Sequence, residues 1–358
     1  MTETSVPGTG SGPVPRPTIR IGARTSTLSR TQSDWVAARL AEQGAATEFV
    51  GITTKGDVDR RELTRIGGTG VFAAAVREAL LRGEIDLAVH SLKDLPTAPL
   101  PGVRLAAVPA REDTRDVLVG LHPDRLAEPR DTRLRIGTGA PRRAVQIEAH
   151  AEGLGHPVDT VPIRGNVETR IGLVRSGRVD AVILAAAGLR RLGLLTGDLD
   201  DPELRVGGLP AAVLPEDVVL SAPGQGALGL EVSETLSGPA ARAVESLNDP
   251  VAAAETLAER GFLARLEAGC TAPVGARAKV KSVHGKRLDL TLTAVIGRTL
   301  VSNPPESIGD GSVLRVETSG SVEDSFDELL RFASAVADRA LDELGSTDQH
   351  SARRSRRG

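Results

Sequence analysis

Short aliphatic and β-branched runs alternate with helical stretches over most of this chain, and the alternation favours an α/β architecture. From Ile19 to about Val108 it predicts a parallel or mixed sheet covered by helices. One helix is predicted after Ser26, and another runs from Val71 to Arg82, directly before the strand IDLAVH. The apolar stripe predicted for the first of these helices consists of Leu28, Trp35, Val36 and Leu40.

A second α/β set begins near Asp116. The strand LRIGT is followed by a helix whose first turn holds Pro141, and Asn166 stands where it would cap the helix VETRIGLVRSG. The buried-looking strand DAVILA comes next. These elements predict a second sheet with its own helices.

A third region begins at Asn248. Asp249 and Pro250 indicate the cap and first turn of a long Ala-rich helix, and the region continues through this helix to a loop that holds Cys270. Alternating strands such as RLDLTLTAVI follow, and a final amphipathic helix closes the region. The third region is therefore predicted to be a smaller α/β unit.

The two ends of the chain are expected to differ from the rest. Residues 1–17 are rich in Pro, Gly and Ser and contain no signal-peptide core, which predicts a disordered lead. Residues 345–358 predict a disordered basic tail, with contact to an anionic partner as the alternative. No window reaches the ~18 apolar residues of a membrane span. We expect a cytoplasmic protein without a membrane partner.

Composition excludes several kinds of site. The 358 residues carry 44 Lys+Arg and 47 Asp+Glu, for a formal net charge of -3, so the chain is no polycation attracted to nucleic acid. Aromatic residues make up 2%, with no Tyr and one Trp, so bases have few side chains on which to stack. The single Cys excludes a disulfide framework and all-thiolate metal sites within the chain, and no other metal site is expected.

Arginines recur where predicted strands end or helices begin. Ligands of open α/β sheets bind at those ends, and guanidinium groups there bind carboxylates or phosphates bidentately. Each arginine alone could equally be a solvated surface residue. The set is Arg24, Arg142, Arg143, Arg164, Arg170, Arg190 and Arg191.

Two further segments could carry chemistry. In HSLKDLP, Asp94 follows a strand and could stabilise a developing cation, or it could simply shape the loop as an Asx turn. In LEAGCTAP, Cys270 could be a small buried side chain or a loop thiol that binds a ligand covalently. The glycine motifs GGTG and PGQG match no nucleotide-binding pattern and read as turns.

Taken in order, eight segments between Ile21 and Ala276 resemble the porphobilinogen deaminase (hydroxymethylbilane synthase) family. They are IGARTSTLSRTQ, GGTGVF, IDLAVHSLKDLP, GTGAPRR, IRGNVETR, DAVILAAAGLRRLGL, LSAPGQGALGLE and ERGFLARLEAGCTAPVGA.

The resemblance implies an enzyme that condenses four porphobilinogen molecules head to tail and releases ammonia and then hydroxymethylbilane, in tetrapyrrole biosynthesis. It implies a covalent dipyrromethane cofactor, one per chain, bound by a thioether to Cys270, and Asp94 as the catalytic carboxylate. Gln225 would lie at the hinge, Phe72 beside the pyrrole site, and Thr138 within the site. The cofactor and substrate carboxylates would be bound by Arg24, Ser26, Ser91, Lys93, Arg142, Arg143, Arg164, Arg170 and Arg191.

The implied fold has two periplasmic-binding-protein-like α/β domains with a hinge, plus a smaller C-terminal α/β domain carrying the cysteine. The corresponding boundaries are 18–112 with 219–243, then 113–218, then 244–344. We expect a monomer whose partners are porphobilinogen and the growing polypyrrole chain.

Three positions depart from the resemblance. Thr69 stands where many members have Lys, and Gly139 and Ala140 stand where Ser is common. Two rival hypotheses follow: a non-catalytic two-domain ligand-binding protein, or an inactive paralogue.

Overall fold

The computed structural model describes residues 17–52, 70–129, 131–268, 272–297 and 313–355, without the side chains of 70–72, 123 and 346–355. Within these residues three β-sheets form, each with its own helices. The predicted α/β fold class is confirmed, because helices alternate with the strands of the first two sheets and pack against the third. No helix in these ranges is long and apolar enough to cross a membrane.

The first sheet has the strand order β2-β1-β3-β12-β4. Its strands are β1 (Thr18–Arg24), β2 (Ala46–Ile52), β3 (Leu87–Ser91), β4 (Val103–Ala107) and β12 (Leu228–Ser233). β1 pairs in parallel with β2 and β3, whereas β12 inserts antiparallel between β3 and β4. The helices of this domain are α1 (Thr27–Glu42), α2 (Gly70–Leu81) and α6 (Gly238–Glu245). The chain therefore leaves this sheet and later returns to it.

The second sheet has the strand order β7-β6-β8-β5-β11-β10-β9. Its strands are β5 (Asp116–Val119), β6 (Arg135–Thr138), β7 (Asp159–Pro162), β8 (Ala181–Ala185), β9 (Leu195–Thr196), β10 (Arg205–Val206) and β11 (Leu209–Leu214). Three helices follow its strands: α3 (Pro141–Gly153), α4 (Val167–Arg175) and α5 (Ala186–Arg191). β6 is parallel to β7 and β8, while β5 is antiparallel to β8 and β11.

The third sheet is an antiparallel meander packed against two helices. Its strands are β13 (Val274–His284), β14 (Arg287–Gly297) and β15 (Val313–Glu323), and its helices are α7 (Pro250–Arg265) and α8 (Phe326–Ser355). Phe262 of α7, Leu292 of β14 and Ala333 of α8 share one buried cluster. We propose the boundaries 18–112 with 219–243, 113–218 and 244–344 for the three domains.

The predicted helix caps at Asn166 and Asp249 are confirmed, and Ser26 caps the helix that was predicted to follow it. Each side chain accepts a hydrogen bond from the backbone N–H three residues later, which satisfies a donor that the first helical turn leaves unpaired. These caps depend on local chemistry alone, so the sequence could predict them.

Two local expectations differ from the structure. Trp35 is 37% exposed beneath the guanidinium of Arg39 instead of belonging to the buried stripe of α1. Gln32 and Ser33 are buried in its place, because this face of α1 meets polar groups of the first sheet. The tail expected to be disordered from Gly345 continues α8 to Ser355, since its Asp, Gln, Ala and Arg residues are compatible with a helix.

Candidate active site

The predicted site residues lie at or past the carboxyl ends of strands in the first two domains, where open α/β sheets bind ligands. In the first domain they follow β1 and β3, and in the second they follow β6, β7 and β8. They are Arg24, Ser26, Ser91, Lys93 and Asp94 in the first domain and Thr138, Arg142, Arg143, Arg164, Arg170 and Arg191 in the second.

A buried carboxylate, Asp116, pairs with two consecutive arginines of α3. Its side chain is 0% exposed and lies 2.8 Å from Nη1 of Arg142 and 2.7 Å from Nη2 of Arg143. Arg142 also donates to the carbonyl oxygen of Leu220 at 2.7 Å, and Arg143 donates to that of Ile183 at 3.0 Å. Burial opposes ionisation, but the two guanidinium groups outweigh it and hold the pKa of Asp116 well below its usual range.

Gln225 joins this cluster to the first domain. Its Nε2 donates to the carbonyl oxygen of Thr114 at 2.7 Å and to Oδ1 of Asp116 at 2.8 Å. Its Oε1 accepts from Nζ of Lys93 at 3.2 Å and from Nη2 of Arg142 at 3.1 Å. The side chain is fully buried, so these bonds satisfy its donor and acceptor atoms and fix its orientation.

Lys93 is a cation of perturbed pKa beside this cluster. Burial lowers its pKa to about 8, and the neighbouring guanidinium groups of Arg143 and Arg142 act in the same direction. The carboxylates of Asp94 and Asp116 oppose that shift. Lys93 therefore titrates near neutral pH, where an arriving anion would stabilise its charged form.

Asp94 differs from Asp116 in its surroundings. It ends a one-turn 3₁₀ helix after β3, and its side chain is exposed. Among the described residues, no salt bridge within 4 Å engages the Asp94 carboxylate. The charge of Asp94 acts on Arg170. Burial and Arg143 lower the pKa of Arg170, and the Asp94 carboxylate raises it. Asp94 is thus an available carboxylate at the edge of a cationic cluster.

The PGQG turn brings the two connections between the first and second domains together. Gly224 and Gly226 adopt φ of +75° and +86°, and a Cβ at Gly226 would clash with the carbonyl oxygen of Glu112. The carbonyl oxygen of Gly226 accepts from Nη2 of Arg191 at 2.7 Å and from the N–H of Glu112 at 3.3 Å. Burial lowers the pKa of Arg191, and Glu112 opposes that shift. We propose that this crossing is the hinge.

Two family models match the chain. The model described as "Porphobilinogen deaminase, dipyromethane cofactor binding domain" covers residues 19–237, and "Porphobilinogen deaminase, C-terminal domain" covers 253–302. The chain belongs to the porphobilinogen deaminase family. Its cofactor is dipyrromethane.

Individual members of this family are similar over nearly the whole chain. "Porphobilinogen deaminase 1" of Streptomyces coelicolor is 46% identical over 326 residues, covering 90% of this chain and 94% of that protein. "Porphobilinogen deaminase" of Leifsonia xyli subsp. xyli is 44% identical over 332 residues, covering 91% of each. Among solved structures, a probable amino-acid ABC transporter extracellular-binding protein of Bacillus subtilis is 10% identical, covers 65% of this chain and 90% of that chain, and has a TM-score of 0.36.

The charges at this site fit a polycarboxylate such as dipyrromethane. Its cations are Lys93, Arg142, Arg143 and Arg170, and its carboxylates are Asp94 and Asp116, so the cations are in excess. Nε of Arg143 is buried and has no hydrogen-bond partner among the described residues. A buried guanidinium N–H without a partner is costly, so a carboxylate oxygen would find both charge and a donor here.

Ser91 and Thr138 have hydrogen-bond partners outside this cluster. Ser91 Oγ accepts from Nε2 of Gln32 at 2.9 Å, and Thr138 Oγ1 accepts from the N–H of Ala140 at 3.2 Å. Arg164 is exposed, and no contact joins it to the cluster within the described ranges. Cys270, Thr69 and the side chain of Phe72 lie outside the described residues.

Sequence reasoning missed Asp116, although a signal was present. A single carboxylate opens the otherwise apolar strand Asp116–Val119, and a buried carboxylate demands a cationic partner. The structure also accounts for Gly139, because a Cβ at this position would lie 2.6 Å from the carbonyl oxygen of Ile163. A serine here would therefore require the backbone to shift.

Proposed function

We propose that this chain is a transferase, hydroxymethylbilane synthase, which condenses four porphobilinogen molecules head to tail on a covalent dipyrromethane primer. Ammonia leaves at each addition, and hydroxymethylbilane is released at the end, in porphyrin and haem biosynthesis. Membership of the porphobilinogen deaminase family supports this activity. The structural observation that carries it is an exposed Asp94, without a salt bridge among the described residues, beside the buried Arg142 and Arg143 and the partly buried Lys93 and Arg170.

The cations bind the acetate and propionate groups of the pyrroles in this proposal. Lys93, Arg142, Arg143 and Arg170 form the centre, because they already share an electrostatic environment. Arg24, Ser26, Ser91, Arg164 and Arg191 complete the proposed carboxylate-binding set, with Phe72, Thr138 and Gln225 as further site residues. Guanidinium groups suit this task because each can hold a carboxylate through two parallel N–H donors.

Asp94 is the proposed catalytic residue. The aminomethyl nitrogen of porphobilinogen carries its proton as an ammonium group, so when the C–N bond breaks the electron pair leaves with the nitrogen and neutral ammonia departs. Positive charge remains on the pyrrole and its methylene carbon. The Asp94 carboxylate holds the pyrrole N–H and stabilises this charge. Asp116 is excluded from that role because it is buried and already bound to Arg142 and Arg143.

Dipyrromethane, when bound, supplies the pyrrole carbon to which the first substrate molecule is joined. We assign its thioether attachment to Cys270, the single thiol of the chain. Helix α7 ends at Arg265, five positions before this cysteine in the sequence. The proposed protein works as a cytoplasmic monomer without nucleic acid or membrane, and its mass in solution tests the oligomeric state.

Intact mass spectrometry of the native protein and of Cys270→Ser tests the function. We expect a native mass excess equal to two linked pyrroles that grows by pyrrole units with porphobilinogen, and no excess in a folded Cys270→Ser variant. A native chain that stays bare, even when supplied with hydroxymethylbilane, would favour the ligand-binding alternative. A loaded chain that never extends would favour the inactive paralogue. A stably loaded and fully active Cys270→Ser variant would refute the attachment site.

A further inference from the structure

Arg260, on helix α7 of the third domain, binds the backbone of the segment that carries Asp94. Its Nη1 donates to the carbonyl oxygens of Leu92 at 3.3 Å and Leu95 at 2.7 Å, and its Nη2 donates to that of Pro96 at 2.8 Å. These three carbonyl groups lie on either side of Asp94 in the chain. The planar guanidinium fork can hold several acceptors in one fixed arrangement, which an ammonium cannot reproduce.

Three other hydrogen bonds of the described residues hold the same segment, one of them from Nζ of Lys93 to Oε1 of Gln225 at 3.2 Å. The N–H of Leu92 donates to the carbonyl oxygen of Ala227 at 3.0 Å, and the N–H of Leu95 closes the 3₁₀ turn onto Leu92 at 3.1 Å. The side chains of Leu92 and Leu95 are buried in a cluster that includes Ala252 of α7. Apolar side chains therefore pack this segment against α7, and the hydrogen bonds from Arg260 fix the orientation of the segment's backbone.

Helix α7 is itself fixed to the hinge at the preceding residue. Glu259 is fully buried and accepts from both Nη atoms of Arg111 at 2.8 Å, from the N–H of Gly224 at 2.7 Å and from that of Ala278 at 2.9 Å. Consecutive side chains of α7 thus contact the PGQG turn and the segment of Asp94. These bonds hold α7 in place, and so they also fix the position from which Arg260 binds the segment of Asp94.

We infer that Arg260 is a positioning residue for the reaction: its guanidinium fixes the backbone of 92–96 and so sets where the Asp94 carboxylate lies relative to α7, the helix that leads to Cys270. This inference rests on the proposed catalytic role of Asp94. Arg260 touches neither substrate nor cofactor in this assignment, and it acts through Asp94. The third domain would then align the catalytic carboxylate as well as carry the cofactor cysteine.

The test compares Arg260→Ala and Arg260→Lys with the wild-type chain, all checked for cofactor loading by intact mass. Arg287→Ala is the matched control, because its Nη2 also donates to a main-chain carbonyl, that of Ser321 at 2.7 Å, within the third sheet. We expect kcat of loaded Arg260→Ala to fall about 10- to 100-fold, as for a misplaced catalytic group. KM for porphobilinogen should change less than about threefold, because the carboxylate-binding residues remain in place. Arg260→Lys should lie between, and Arg287→Ala should match wild type.

Two further measurements separate positioning from general stability. Hydrogen exchange in the peptide spanning 88–98 should be faster in Arg260→Ala but unchanged in Arg287→Ala. In single turnovers, adding Arg260→Ala to Asp94→Ala should cause no further loss of rate, since both changes remove one function. Millimolar guanidinium should restore part of the rate to Arg260→Ala alone.

The inference is overturned if loaded Arg260→Ala retains wild-type kcat, if the two losses multiply in the double variant, or if the variant folds but stays unloaded. Should Arg260→Ala fail to fold, Arg260→Lys becomes the test. A wild-type kcat and wild-type hydrogen exchange in Arg260→Lys would refute the inference, whereas a lower kcat together with faster exchange in 88–98 would support it. If the wild-type chain itself does not turn over porphobilinogen, the proposed function fails. In that case, hydrogen exchange still tests whether Arg260 anchors the backbone of 88–98. Exchange in Arg260→Ala equal to that of the wild-type chain would refute the anchoring, whereas faster exchange would support it.

Discussion

Replacing Asp116 with Asn should destabilise the second domain strongly, and more so without the cofactor. The carboxylate is 0% exposed and neutralises Arg142 and Arg143 at 2.8 and 2.7 Å while accepting from Gln225 at 2.8 Å. An amide keeps one acceptor oxygen but places an N–H₂ group against guanidinium donors. Two buried cations are then left without a counterion.

The size of the effect follows from that geometry. Removing one partner of a buried ion pair costs about 3–5 kcal/mol, because the remaining charge stays desolvated. Each kcal/mol of lost stability lowers the thermal midpoint by about 2 °C or more. A loss of about 3 kcal/mol, the lower end of this range, therefore lowers the midpoint by about 6 °C. Asp113→Asn is the matched control: its partner Arg115 at 2.8 Å is partly exposed, so the loss should stay below about 1 kcal/mol.

Calorimetry of the loaded and unloaded forms of each variant provides the assay. Cofactor carboxylates would neutralise the freed arginines, so loaded Asp116→Asn should lose less stability than the unloaded variant. If unloaded Asp116→Asn melts within about 1 °C of wild type, the reasoning on its buried charges is wrong. If loading makes no difference to the loss, Arg142 and Arg143 do not bind cofactor carboxylates.

Two further predictions concern the first domain. Asp94→Ala should keep the wild-type thermal midpoint, because the side chain is exposed, yet lose at least about 10³-fold in turnover; near-normal turnover would remove Asp94 from its role. Lys93 is charged below its pKa of about 8, so kcat/KM for porphobilinogen should fall about tenfold as pH rises from 7 to 9.5. In Lys93→Arg the guanidinium stays charged, so kcat/KM should fall much less between about pH 7 and 9.5. An unchanged fall in this variant would assign the titration to another group.

Local signals predicted most helices of the fold. The caps at Ser26, Asn166 and Asp249 needed no information beyond a few neighbouring residues. Trp35 was placed wrongly, because periodicity assigns apolar residues to the core without knowing what faces the helix. Here Gln32 is buried since it donates to Ser91, a contact between residues 59 positions apart. Such a partner cannot be read from spacing in α1.

Some residues of the candidate site could be located from the sequence, and others could not. The arginines and Asp94 could be placed from the sequence because strand ends and helix starts meet at one edge of a sheet. The resemblance placed Gln225 at the hinge, but its four bonds to the first and second domains required coordinates. Asp116 and Arg260 were missed because each acts through partners brought close only by the tertiary fold.

Arg142 and Arg143 are adjacent in the chain, yet they have different structural partners. Successive residues of a helix are separated by about 100°, so their side chains leave α3 in different directions. Arg142 reaches Gln225 at the hinge, whereas Arg143 reaches the carbonyl oxygen of Ile183 in β8. Both share the counterion Asp116, whose single negative charge can offset only one of their two positive charges. The pair therefore keeps one net positive charge in a buried position, and in the proposed function a carboxylate of the cofactor or substrate would complete its neutralisation.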